Sequence, residues 1–166
     1  MAAAALCCAA VLAVGCGPGQ RARPARPASP APTLATGAGR RALAARYLAI
    51  ARPANRRLEI DFDRLDGRDH GNLAAALGDL REAASTERLF DQRLLAIAFP
   101  SATEAQVRFL VWVNESRARL TTTAAASTSL RQLARYEPRL STANRPVEQA
   151  VTAIRSQLGL PPPETS

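Results

Sequence analysis

"RALAARYLAIARPANRRLEIDFDRL", Arg41–Leu65, decides the fold. Ala44, Leu48, Ala51, Asn55, Leu58, Phe62 and Leu65 recur at a 4-3-4-3 spacing. That spacing lays them along one stripe of an amphipathic α-helix of about 26 residues beginning near Arg40. Pro53 interrupts the stretch. Inside a helix, proline removes a hydrogen bond and clashes with the preceding turn, at about 3 kcal/mol or more. So Pro53 either bends the helix or opens it from the first turn, where its fixed φ fits. The second reading is slightly preferred.

Outward from this stretch the helical pattern repeats. Gly67 and Gly71 mark an end. A second helix is predicted over Asn72–Ala98, with Leu73, Leu77, Leu80, Ala84, Leu94 and Ala98 inward and Asp69 starting its cap. Pro100 stops it, and Ser101 with Glu104 forms a capping-box pattern in which Ser caps an amide and Glu reaches back. The third helix then runs to about Tyr136, with Phe109, Val113, Leu120, Leu130 and Ala134 inward. Glu104–Arg108 and Glu115–Arg119 add i,i+4 pairs. Its weak point is Thr121–Ser129, where Thr and Ser lower helix propensity and a break fits. Pro138 ends it. A last helix reaches Leu158 with Val147, Val151, Ile154 and Leu158 inward, Gly159 as C-cap, and Pro161–Pro163 barring continuation. Short connections between long helices imply antiparallel neighbours. The expected fold is all-α, an antiparallel up-down bundle of three to four helices over residues 40–159, with a tail at 160–166.

Composition agrees. The chain is 47% hydrophobic and only 4% aromatic, rich in Ala and Leu, which favours helix over strand. All 22 basic residues are Arg, and the net charge is +8. Arg21, Arg23, Arg26, Arg40 and Arg41 carry five positive charges before any acid appears, so much of the excess lies in and just after a Pro/Ala-rich tail. That distribution argues against a nucleic-acid-binding domain, which needs a shaped basic stripe. Near a membrane such a tail is drawn to anionic lipid by about 1 kcal/mol per charge.

The N-terminus explains where that tail belongs. Ala2–Cys16 carries no charge, too short for a bilayer span and suited to the apolar region of an export signal, although no Arg or Lys follows Met1. "AVGC", Ala13–Cys16, preceded by Leu12, resembles the lipobox of bacterial lipoproteins. With the Pro/Ala spacer and the Ala/Arg-rich helices, the pattern resembles small lipoproteins of GC-rich Gram-positive bacteria. The resemblance implies a signal at residues 1–15, cleavage before Cys16, and a diacylglyceryl group on its thiol. It also implies a location on the outer face of the cytoplasmic membrane. The cysteine count is consistent: Cys7 and Cys8 leave with the signal, and none follows Cys16. Residues 16–39 read as a disordered spacer.

Chemistry is sparse. Asp61–His70, "DFDRLDGRDH", fails as a calcium loop in the Asp61 and Asp63 registers and reads as a solvated helix end. His70 is the lone histidine, there is no Glu-x-x-His pair, and neither a nucleotide loop nor a nucleophile elbow is present. No metal, cofactor or catalytic residue is expected. The stripes do carry polar residues: Asn55, Glu87, Asn114 and Arg117. Glu87 and Asn114 lie at nearly equal distances from the Phe99–Pro100 turn. Either these residues form a buried polar layer, with Glu87 paired to Arg117 or Arg88, or they sit at the stripe's edge and reach water. The second reading carries more weight from sequence alone. The expected function is a non-catalytic anchored helical domain that binds a protein or envelope partner. The alternative is a small-molecule-binding or sensing bundle that uses the polar layer.

Overall fold

The Arg41–Leu65 spacing becomes one continuous helix. The computed structural model describes residues 37–163, which form helices joined by turns with no strand among them. Cys16, the signal and nearly all of the spacer lie outside the described residues. The helices are α1 (Gly37–Asp66), α2 (Leu73–Leu95), α3 (Ser101–Ala124), α4 (Leu130–Ala134) and α5 (Glu137–Gln157). α1 packs on α2, α2 on α3, and α3 on α5.

Pro53 lies inside α1 and does not start it. Pro53 and Ala49, whose carbonyl loses its helical donor, are both on the exposed face. Water can therefore satisfy that carbonyl, and the packed face is untouched. The buried line of α1 also differs from the 4-3 stripe. It runs through Ala44, Tyr47, Ala51 and Asp61. Asn55 and Phe62 are exposed, and Leu48 is half-buried. The 4-3 and 3-4 phases share Ala44, Ala51, Leu58 and Leu65 and differ by one residue between them. Partners select the phase: Tyr47 meets Phe90 edge-on at 6.5 Å, and Asp61 meets Arg57 at 3.4 Å.

The capping pattern moves as well. α2 is capped by Asn72, whose side-chain oxygen accepts from the Ala75 amide at 3.2 Å, rather than by Asp69. α2 ends at Leu95, short of Ala98, which is exposed. At the start of α3 the N-cap is Pro100 and no side chain caps it; Ser101 is already helical. Glu104 turns away to Arg108 at 2.7 Å. The Glu115–Arg119 pair also forms, at 3.3 Å.

α3 ends at Ala124 instead of running to Tyr136. The hydroxyls of Thr121, Thr122 and Thr123 donate back to the carbonyls of Arg117, Ala118 and Arg119 at 3.1, 2.8 and 2.9 Å. Such back-bonding weakens and bends a helix. Five residues after Ala124, Ser129 restarts the helix: its hydroxyl accepts from the Gln132 amide at 3.2 Å, and Gln132 Oε1 accepts from the Thr128 amide at 2.8 Å. Ser129–Gln132 thus works like the capping box that Ser101–Glu104 was expected to be. Beyond the break, Leu130 and Ala134 are exposed, as is Phe109 before it. Pro138 opens α5 in its first turn rather than closing the third helix. α5 ends as the sequence indicates. Gly159 takes φ +70; its amide donates to the Ser156 carbonyl at 3.0 Å, and the Leu160 amide donates to the Arg155 carbonyl at 2.8 Å. That is a Schellman motif, which needs a residue without Cβ strain at this φ.

The core has two parts. One joins Tyr47 and Ala51 of α1, Leu94 of α2, Val107, Leu110 and Val113 of α3, and Ile154 of α5, together with Leu158 just past its end. The start of α1 therefore meets the end of α2, the start of α3 and the end of α5, as an up-down bundle requires. The other part gathers Leu80, Ala124 and Ala125, with Leu65, Leu133, Tyr136 and Leu140 packed against them. Buried alanines such as Ala83, Ala84 and Ala118 let the helices approach closely. No helix among the described residues is long and apolar enough to cross a membrane.

Candidate functional site

Between the two apolar parts lies a polar layer. On α2, Glu87 and Asp91 are one turn apart and both buried. On α3, Asn114 is buried and Arg117 has a side chain 13% exposed. Asn114 Nδ2 donates to Asp91 Oδ1 at 3.0 Å. Arg117 donates through Nη2 to Glu87 and through Nη1 to Asn144 of α5. The amide of Asn144 in turn donates to Glu148. Arg88 turns to Glu115 at 3.5 Å and to the Thr122 hydroxyl at 3.1 Å.

The structure thus brings together Glu87, Asn114 and Arg117, three of the four residues singled out from the sequence. Asn55 is not among them. It is exposed on α1, because the packed phase of that helix runs through Tyr47 and Asp61 instead. Asp91 and Asn144 join the layer without having been foreseen. Both carry a readable signal. Asp91 continues the 80-84-87-91-94 line of α2, and Asn144 extends the Val147, Val151, Ile154 line of α5 backward by three residues.

The layer is short of positive charge. Two carboxylates face one guanidinium, and Glu87 Oε2 and Asp91 Oδ2 are buried without a hydrogen-bond donor. Burial pushes the Glu87 carboxyl above its usual range even with Arg117 beside it. Asp91 is pushed up to about 7, chiefly by burial and further by the neighbouring charges of Glu87 and Glu115, against the hydrogen bond from Asn114. Near neutral pH a buried acid in this setting holds its proton for part of the time.

The layer opens at one side into a groove of about 790 Å³. Its walls are mainly apolar: Phe62 and Leu65 of α1, Leu80 of α2, Leu133 of α4 and Leu140 of α5. Arg117, Thr121, Ser141 and Asn144 form its polar part, while Asp66, His70, Arg131 and Glu137 also line it. The break after α3 makes this groove. A continuous third helix would not place α4 beside Leu80 and Leu140.

A second acidic group sits near the α1–α2 turn. Asp61, expected in a solvated helix end, is buried between Arg57 at 3.4 Å and Arg64 at 3.9 Å. Burial raises its pKa against those arginines. Asp79 is buried too and raised, first by burial and then by the carboxyl of Asp69. Among the described residues no group of three or more His, Cys, Asp or Glu could hold a metal ion.

No family model, curated protein or solved structure matches the chain.

Proposed function

We propose that the protein is a non-catalytic helical binding domain, lipid-anchored through Cys16 on the outer face of the cytoplasmic membrane. Its site is the groove between α1, α2, α4 and α5. The observation that carries this reading is the groove itself: about 790 Å³, mainly apolar, with one polar corner at Arg117, Asn144 and Thr121. Small-molecule sites are of this size and composition, a few placed polar groups in an apolar cleft. The neighbouring buried groups favour binding over chemistry, because they are committed to one another: Glu87 to Arg117 and Asp91 to Asn114. Anchoring rests on the lipobox-like Ala13–Cys16 and the Arg-bearing spacer behind it.

Two experiments test it. In an NMR titration of the full chain, decanol should shift amide signals around Leu80, Leu133 and Leu140; shifts confined to other faces, or none, refute the groove. For the anchor, Cys16→Ser should move the protein from the membrane fraction to the soluble fraction, and an unchanged distribution refutes it.

A second reading, docking of a protein or envelope partner on a bundle face, is favoured by one feature. Phe109 and Trp112 pair on the outside of α3 with ring centroids 5.9 Å apart, and Trp112 is 64% exposed. Exposed aromatic pairs are common anchors of interfaces. On that reading, Trp112→Ala abolishes in-cell crosslinks that Ser141→Trp, a substitution that fills the groove, retains.

A further inference from the structure

The charges around the groove point to the kind of molecule that fits it. Of the three charged members of the layer, only Arg117 lines the groove; Glu87 and Asp91 lie behind it. At the exposed rim, Arg131 is outnumbered by Asp66 and Glu137, with His70 beside them, so the rim does not supply the positive charge. The charge that an entering head group meets at depth is therefore a guanidinium, flanked by the Thr121 and Ser141 hydroxyls and the Asn144 amide. A guanidinium with such neighbours suits an anionic oxygen group. The remaining wall is apolar, and the volume suits one alkyl chain or a body of that size.

Arg117 is already engaged, and this determines the cost of binding. It donates to Glu87 and to Asn144. With both acids ionised, a further anion would bring three negative charges to one guanidinium in a largely buried place. Uncompensated buried charge of this kind is strongly unfavourable. The least costly remedy is a proton on one of the two acids. We infer that the groove takes an anionic amphiphile, its head at Arg117 and its chain along Leu65, Leu80, Leu133 and Leu140. We further infer that binding draws one proton onto the Glu87–Asp91 pair. This rests on the groove being the binding site.

The surroundings of the pair support proton uptake. Asp91 faces Glu87 on its own helix and Glu115, Arg117 and the neutral Asn114 on α3. Glu87 faces Arg88 on α2 and Arg117 and Glu115 on α3. α5 adds Asn144 with Glu148 behind it. α1 brings Tyr47 only against Phe90, the residue before Asp91, with its hydroxyl kept neutral by burial and Arg155 of α5 beside it. Asp91 Oδ2 and Glu87 Oε2 are buried without a donor, and burial already pushes Asp91 up to about 7, so the proton comes at little cost near neutral pH.

Calorimetry on the full chain with three ten-carbon probes tests the inference: decanesulfonate, decanol and decyltrimethylammonium, each at pH 5.5, 7 and 8.5. The sulfonate stays ionised throughout, so any proton linkage belongs to the protein. Decanesulfonate should bind at least ten-fold more tightly than decanol at pH 5.5. Its Kd should rise with pH, approaching about ten-fold per unit above 7 for one linked proton. Decanol affinity should stay flat. Arg117→Gln should remove the preference for the sulfonate. Asp91→Asn, which keeps the fold's shape, should leave decanesulfonate binding tight and nearly independent of pH. Equal affinity for decanesulfonate and decanol at every pH overturns the inference and leaves the groove standing. So does tighter binding of the cationic probe, or a pH dependence unchanged in Asp91→Asn. Binding of none of the three overturns the groove and the inference together.

Discussion

Replacing Asp91 by Asn should stabilise the protein, and only above the acid range. Folded Asp91 holds its proton up to about pH 7, whereas the same carboxyl in an unfolded chain releases it near 3.8. Between those values the folded state binds more protons than the unfolded state. Stability from this group therefore falls as pH rises through the window and stays low above it. At about 1.36 kcal/mol per pKa unit, the ionised carboxylate costs roughly 4 kcal/mol at pH 8. Relaxation and water entry reduce the measurable part to about 2–4 kcal/mol. Asparagine keeps the shape and an oxygen to accept from Asn114, and carries no charge to desolvate. For a domain of this size about 3 °C accompanies each kcal/mol, so the melting temperature should rise by roughly 6–12 °C at pH 8. At pH 4 the two proteins should melt nearly together. Thermal unfolding by far-UV circular dichroism at pH 4, 6 and 8 measures this directly. Equal melting at pH 8, or a gain of the same size at every pH, would refute the picture of an under-compensated buried acid.

Three further outcomes follow from the packing. Pro53→Ala should stabilise by about 2 kcal/mol in urea denaturation, the roughly 3 kcal/mol helix-interior penalty less about 0.4–1 for the freedom restored to the unfolded chain. Ser129→Ala should cost about 1 kcal/mol by removing the cap of α4, and should weaken decanol binding because α4 walls the groove. Leu110→Ala, at a site 1% exposed, should cost about 2–5 kcal/mol and leave the relative affinities of alkyl probes unchanged.

The bundle was legible because its signals are long. Four stripes at helical spacing, bounded by Gly67, Gly71, Pro100 and Gly159, specify helices and their turns whatever the details of packing. The details were less legible for a physical reason: in an alanine-rich helix, neighbouring phases differ little in apolar content. Leu48 and Phe62 outrank Tyr47 and Asp61 as apolar residues, yet Phe90 and Arg57 choose the latter, and those partners lie on other turns or other helices. Asn55 fell out of the layer through this one-residue slip. Capping failed in the same way. Ser101 and Glu104 have the right types, but Arg108 captures the glutamate, while Ser129 and Gln132 have equal credentials and no competitor. The polar layer was readable in part, since Glu87 and Asn114 stand at matching heights from the Pro100 turn. Asp91 and Asn144 continue lines already visible and needed only the stripes to be carried one step further. The groove was not readable at all. It exists because three consecutive threonines and a serine cap end α3 and start α4, and its depth depends on how the two halves then fold back.

Native mass spectrometry of the protein extracted gently from its own membranes probes anchor and groove together. The expected species is a chain beginning at Cys16 with the mass of an acyl-bearing anchor. It carries one noncovalent small molecule per chain, lost on activation and absent from the groove-filling variant Ser141→Trp. A chain beginning at Met1 with a free Cys16 thiol, and with no bound molecule, would contradict both.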